Sequence, residues 1–287
     1  MARSWTAVPG GRVPVLHTGD GTGPPVVLLP GLSDGLAPVS RPEAESLIDA
    51  VPLPMRHYRG LVVSYRHPVQ PTTTTLELAR DVAHVLRTHD HAPAWLLAHS
   101  MGAMVAQHLA ADAPELVAGM VLSATAPQAD AHLRRALARW AWQLRTGRFE
   151  VFARDAVATS ATGGARLRLL AEARALRRAA PALLAGTVPP AELVARHLAL
   201  SGVAATHDAR ARLGRIRCPT LVLAGGRDVV CRPHQAVALA RGIPGARLVV
   251  LAGLGHGFPE QAPDRYTELV LPLLPTAAPP APQEAFP

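Results

Sequence analysis

The sequence predicts an α/β fold: a mostly parallel central sheet flanked by helices, with one inserted all-helical segment. Three observations carry this reading. Short, β-branched-rich apolar runs alternate with amphipathic helical patterns, as in sheets covered on both faces. The alternation stops between residues 128 and 212, where only helical patterns occur. One apolar run also ends abruptly at a serine framed by small residues, Ala98-His99-Ser100-Met101-Gly102, and a helical pattern starts at once. At 287 residues, 49% of them hydrophobic, the chain is long enough for a core domain carrying an insertion.

Residues 12–18 and 25–30 read as strands of an opening hairpin around the glycine-rich turn GDGTG. Residues 61–65, 94–98, 119–124, 220–224 and 247–251 read as buried parallel strands. Helices are expected over 75–88, where Leu78, Val82, Val85 and Leu86 share a face, and over 102–111, 235–241 and 266–274. Residues 1–127 and 213–274 then form the core, and 128–212 form a helical cap over the carboxyl edge of the sheet. Within the cap, Leu133, Leu137, Trp140 and Leu144 mark one helical face and Phe149, Phe152 and Ala156 another. Leu167, Leu170 and Leu176, then Leu193, Val194 and Leu198, continue the pattern. The Pro/Ala-rich tail 275–287 is expected to be disordered.

The formal charge is +8, and every basic residue counted in it is an arginine, because the chain contains no lysine. The charge is dispersed and no basic run is interleaved with aromatics, so no nucleic-acid partner is expected. Absent lysine excludes a P-loop and Schiff-base chemistry. The N-terminus lacks the apolar core of a signal peptide and no apolar run reaches membrane-spanning length. The expectation is a cytoplasmic protein with no membrane partner. Seven extended residues from Cys218 to Gly225 span roughly 23 Å, whereas bridged Cα atoms lie within about 7 Å, so no disulfide is expected. His84, His89 and His91 form no convincing ligand set and no H-E-x-x-H occurs, so neither metal nor cofactor is expected.

A serine hydroxyl needs a base to take its proton and a third group to orient that base. Asp228 follows the strand-like LVLAGG in a turn, and His256 follows RLVVL between Gly255 and Gly257. Parallel strands end on one edge of the sheet, where ligands of open α/β folds bind. Ser100, Asp228 and His256 can therefore converge. Residues 119–125 offer no competing acid until Asp130, and none of the other histidines ends a late strand in a glycine-rich loop. His99 reads as a packing partner.

From PVVLLPGL near its start to GHGFPE near its end, the chain resembles the α/β-hydrolase superfamily, whose motif order is serine, acid, histidine. CPTLVLAGGRD followed by IPGARLVVLAGLGH is most similar to its carboxylesterase and enol-lactonase group. The resemblance implies the α/β-hydrolase fold, with Ser100 as nucleophile, His256 as general base and Asp228 as the orienting acid. It also implies an oxyanion hole from the backbone N–H groups of Met101 and Leu32. Three departures stand out. Ala98 replaces the first glycine of G-x-S-x-G, Pro30 replaces a histidine before Gly31, and SYRHPVQPTTTT replaces D-x-x-G-x-G-x-S.

The implied activity is hydrolysis of a small or medium carboxylic ester or lactone, a small-molecule acyl substrate, through an acyl-enzyme. A C–C bond hydrolase of a diketone, a small peptidase and a non-catalytic binding protein on the same fold are the alternatives. Ser33, Asp34, Trp140, Trp142, Phe149, Phe152 and Phe258 are the candidate pocket residues, the cap aromatics serving either the pocket or the cap's own core. The cap arginines Arg134, Arg135, Arg139, Arg145, Arg148 and Arg154 form either a solvated face or an attractor for an anionic substrate. Oligomeric state is not legible.

Overall fold

The computed structural model describes residues 2–19, 23–32, 58–160 and 191–275. Eight strands run β1 (Ala2–Val8), β2 (Gly11–Thr18), β3 (Pro25–Leu29), β4 (Arg59–Val63), β5 (Ala94–His99), β6 (Val117–Ser123), β7 (Thr220–Gly225) and β8 (Arg247–Leu251). They form one sheet in the order β1-β2-β4-β3-β5-β6-β7-β8. Pairs β1/β2 and β2/β4 are antiparallel and the other five are parallel. The fold class read from the sequence therefore holds.

The opening hairpin is a correction. β2 and β3 do not pair; β4 lies between them, with Val15 opposite Val63 and Val27 opposite Leu61. The real hairpin joins β1 to β2 through a turn at Gly10, whose φ of 86° suits glycine. β3 carries four consecutive buried residues, and so fully buried a strand belongs inside a sheet with a neighbour on each side.

Alternate residues of each strand feed opposite faces. Val27, Leu29, Leu96 and Ala98 join the layer holding α1 (Thr75–Thr88), α2 (Met101–Asp112) and α6 (Pro233–Gly242). Val26, Leu28 and Leu97 meet Phe258 of α7 (Phe258–Gln261) together with Tyr266 and Val270 of α8 (Pro263–Val270). In α1, Leu78, Val82 and Leu86 are each no more than 1% exposed, a burial worth roughly 1.5–3 kcal/mol per side chain. Thr74 starts the helix with a capping box: its hydroxyl accepts from the Glu77 N–H, and the Glu77 carboxylate accepts from the Thr74 N–H at 2.7 Å.

Between β6 and β7 the described residues form α3 (Ala131–Arg145), α4 (Phe149–Ser160) and α5 (Ala191–Ala205), and no strand. The two ends of this excursion meet, with Ala129 N–H on the His207 carbonyl at 2.8 Å and Ala209 N–H on the Pro127 carbonyl at 2.9 Å. α3 buries Leu133, Leu137 and Leu144 as the periodicity predicts. α5 differs: it buries Arg196, His197 and Leu200, while Leu193, Val194 and Leu198 are only half-buried. Leu167, Leu170, Leu176 and nearly all of the tail from Pro275 lie outside the described residues. Among those described, no helix is long and apolar enough to cross a membrane.

Candidate active site

Ser100 sits between β5 and α2 with φ 52° and ψ −116°, a left-handed backbone uncommon for a residue with a side chain. Its N–H donates to the Ser123 carbonyl at 2.8 Å, tying the turn to the end of β6. Small residues make the turn possible. A Cβ on Gly102 would stand 2.2 Å from the Leu29 carbonyl oxygen and 2.6 Å from that of Pro30, so α2 can start against the end of β3 only with glycine there. Ala98 pairs with Leu29 inside the sheet and is 2% exposed, so a methyl fits at that position.

Asp228 and His256 come from the loops after β7 and β8. Gly225 lets these loops touch: a Cβ there would lie 2.3 Å from the Gly255 carbonyl oxygen and 2.6 Å from that of Leu254. The loops are sewn together by Gly226 N–H on the Leu251 carbonyl and Arg227 N–H on that of Leu254, both at 2.8 Å. Asp228 Oδ1 accepts from the N–H groups of Val230 and Cys231, at 2.7 and 2.9 Å. Its Oδ2 takes His256 Nδ1 at 2.8 Å, and His256 Nε2 lies 3.0 Å from Ser100 Oγ. A carboxylate only accepts, so Nδ1 carries the proton and Nε2 presents its lone pair to the serine hydroxyl.

Burial by itself would lower the His256 pKa. The charge of Asp228 and the hydrogen bond to it outweigh that, with help from Glu260, and raise the pKa above the ordinary value. His99 packs beside His256, ring centroids 5.3 Å apart. Burial, and then the His256 charge, push its pKa down to about 3, so it stays neutral. Among the described residues, the imidazole that reaches Ser100 Oγ is that of His256.

The loop Pro30-Gly31-Leu32 abuts the serine, since a Cβ on Gly31 would be 3.2 Å from Ser100 Cβ. Met101 opens α2, so its N–H is among the first of the helix, which no intrahelical carbonyl can take. Ser33 and Asp34 lie outside the described residues. Trp140 and Phe149 pack against the small cluster of Leu144 and Phe152, with Val194 and Leu198 alongside. Two other pocket candidates lie apart from that cluster. Trp142 is 45% exposed under the Arg148 guanidinium, on the face of α3 opposite Leu133 and Leu144. Phe258 is fully buried beside Tyr266 on the other side of the sheet, so it is core. A hollow lined by Asp264, Thr267, Glu268, Leu271 and Pro272 contains none of the three central residues.

Sequence reasoning missed the supports of the His256 loop. Gly257 N–H donates to the Ser160 carbonyl at 2.9 Å, and Gln261 Nε2 donates to the same carbonyl. The end of α4 therefore braces the loop that carries His256. No local pattern marks Ser160 or Gln261, which lie 101 positions apart. Among the described residues no group of three or more His, Cys, Asp or Glu side chains is arranged to hold a metal ion.

A family model for the alpha/beta hydrolase fold matches residues 24–263. RutD of Azorhizobium caulinodans, named as a candidate carbamate hydrolase, is 28% identical over 275 residues, covering 90% of this chain and 97% of its own. A pimeloyl-[acyl-carrier protein] methyl ester esterase of Nitrosomonas europaea is 32% identical over 173 residues, 56% of this chain and 65% of its own. Among solved structures, the enol-lactonase from Burkholderia xenovorans LB400 superposes with a TM-score of 0.75 at 23% identity, covering 94% of this chain and 98% of its own. The chain belongs to the α/β-hydrolase family and is a hydrolase.

Proposed function

We propose that the protein is a serine hydrolase that cleaves a small or medium carboxylic ester or lactone through an acyl-enzyme. The observation that carries this reading is the unbroken hydrogen-bond chain from Asp228 through His256 to Ser100. Ser100 Oγ attacks the acyl carbonyl as His256 Nε2 takes its proton, and Asp228 holds the imidazolium that forms. The N–H groups of Met101 and Leu32 receive the oxyanion. His256 then protonates the departing alkoxide, and water, activated by the same histidine, frees the acid. Residues 128–212 act as the cap, with Trp140, Phe149 and Phe152 the aromatics nearest to serving an acyl pocket. The unpaired Cys218 and Cys231 suit a reducing cytoplasm.

The Nitrosomonas and Burkholderia proteins, named as an ester hydrolase and a lactone hydrolase, support this substrate class. The long match to RutD favours a second reading, attack on a carbamate, whose carbonyl the same serine can reach. A panel of p-nitrophenyl esters of graded chain length, a lactone, an aryl carbamate and a diketone separates these. Ester or lactone turnover that disappears in Ser100→Ala is the expected result. Turnover of the diketone alone refutes the ester assignment.

A further inference from the structure

The loop that carries Asp228 runs from the end of β7 into α6, and the start of α3 grips it twice. Asp130 caps α3, its Oδ1 accepting from the Leu133 N–H at 2.8 Å. Its Oδ2 accepts at 2.5 Å from Nε2 of Gln235, a buried residue in the first turn of α6. Burial by itself would raise the Asp130 pKa. These two hydrogen bonds, with help from His132, outweigh it and hold the carboxyl below its ordinary value, so the grip on Gln235 is charged near pH 7. The second grip is His132, whose Nε2 lies 2.7 Å from the Val229 carbonyl oxygen. A carbonyl only accepts, so Nε2 carries the proton.

Val229 follows Asp228 directly. Its carbonyl and the Val230 N–H are the two ends of one planar, trans peptide unit. That N–H donates to Asp228 Oδ1 at 2.7 Å. The two bonds of a trans unit point in opposite directions, so a donor fixed on the carbonyl also fixes where the N–H points. Val230, beyond the unit, is 4% exposed and packed in the core, whereas Val229 is 52% exposed. The Val229 side is therefore the one that needs a hold, and His132 supplies it. One hydrogen-bonded line results, from His132 through the Val229–Val230 peptide, Asp228 and His256 to Ser100. Each bond in such a line polarises the next.

We propose that His132 is a positioning residue: from the first turn of α3 it holds the Val229–Val230 peptide so that its N–H keeps Asp228 aligned on His256. The inference rests on the triad reading above. It makes the first helix between β6 and β7 a support of the triad.

The test is steady-state hydrolysis of p-nitrophenyl butyrate by the full chain, with thermal melting of each variant alongside. His132→Leu is expected to lower kcat about 10-fold with KM within about twofold, a fraction of the 100-fold that a misplacement of about 1 Å costs. His132→Gln keeps an N–H donor at similar reach and is expected to recover most of the loss. In an Asp228→Asn background the line to His256 is already broken, so His132→Leu should lower kcat less than about twofold further. An unchanged kcat in His132→Leu, an equal loss in the Leu and Gln variants, a full further loss in the Asp228→Asn background, or a rise in KM alone overturns the proposal. If His132→Leu does not fold, His132→Ala takes its place with the same expectations. Fluorophosphonate labelling of the wild-type protein separates the two levels. Labelled Ser100 with kcat insensitive to position 132 defeats this inference only, whereas unlabelled Ser100 defeats the triad reading with it.

Discussion

Replacing Gly225 with alanine puts one atom into the seam between the loops that carry Asp228 and His256. The new Cβ would stand 2.3 Å from the Gly255 oxygen and 2.6 Å from the Leu254 oxygen, and both obstacles are backbone rather than movable side-chain ends. To regain ordinary contact the chain at Gly255 must retreat by about 1 Å. His256 is the next residue. A displacement of that size carries its bonds to Asp228 and Ser100, now 2.8 and 3.0 Å, past hydrogen-bond range. Misplacement of about 1 Å costs on the order of 100-fold in rate, and the overpacking adds about 1–3 kcal/mol of destabilisation. The assays are kcat/KM on the best ester and chemical denaturation at neutral pH. Gly202→Ala, where the added methyl meets nothing within 4 Å, is the control expected to keep wild-type activity. Wild-type kcat/KM in Gly225→Ala would refute the claim that this seam sets the triad geometry.

Four further outcomes follow from the same structure. The attacking form of His256 is neutral and its pKa is raised, so kcat/KM should climb with pH through a midpoint above the ordinary 6.5. In Asp228→Asn the two larger raising causes vanish and only the smaller effect of Glu260 remains, so the midpoint should fall while kcat drops about 10⁴-fold; a pH–rate profile that keeps its midpoint contradicts this. Asp81 (side chain 3% exposed) and Arg66 form a buried pair with two bonds of 2.5 and 2.6 Å. Asp81→Ala strands the guanidinium and should cost about 3–5 kcal/mol in denaturant unfolding, against which a loss below about 1 kcal/mol would count. Phe258→Ala should destabilise by about 3–5 kcal/mol with KM little changed; a KM change at unaltered stability would return Phe258 to the substrate pocket.

The parts of the site that were legible are those whose chemistry demands particular local residues. A serine held at φ 52° in a tight strand-to-helix turn needs small neighbours, and the pattern around Ser100 shows them. Two parallel strands ending in glycine-rich turns mark where Asp228 and His256 emerge, since close loop contact excludes side chains at Gly225. What stayed hidden depends on distant partners. β1 turns Thr6 and Val8 inward and leaves Trp5 40% exposed, so its apolar pattern does not announce a strand. The missing β1 in turn produced the wrong hairpin. α5 buries Arg196 because the carbonyls of Tyr65 and Arg66 lie opposite, and hydrophobic periodicity carries no sign of such a face. Phe258 follows His256 by two positions, yet the turn at Gly257 sends it to the other side of the sheet.

Labelling with a fluorophosphonate, located by peptide mass spectrometry, tests the triad most directly. The prediction is stoichiometric modification at Ser100, abolished in Ser100→Ala and strongly slowed in His256→Ala, because the nucleophile depends on a base 3.0 Å away. An unlabelled Ser100, or a labelling rate indifferent to His256→Ala, would contradict it.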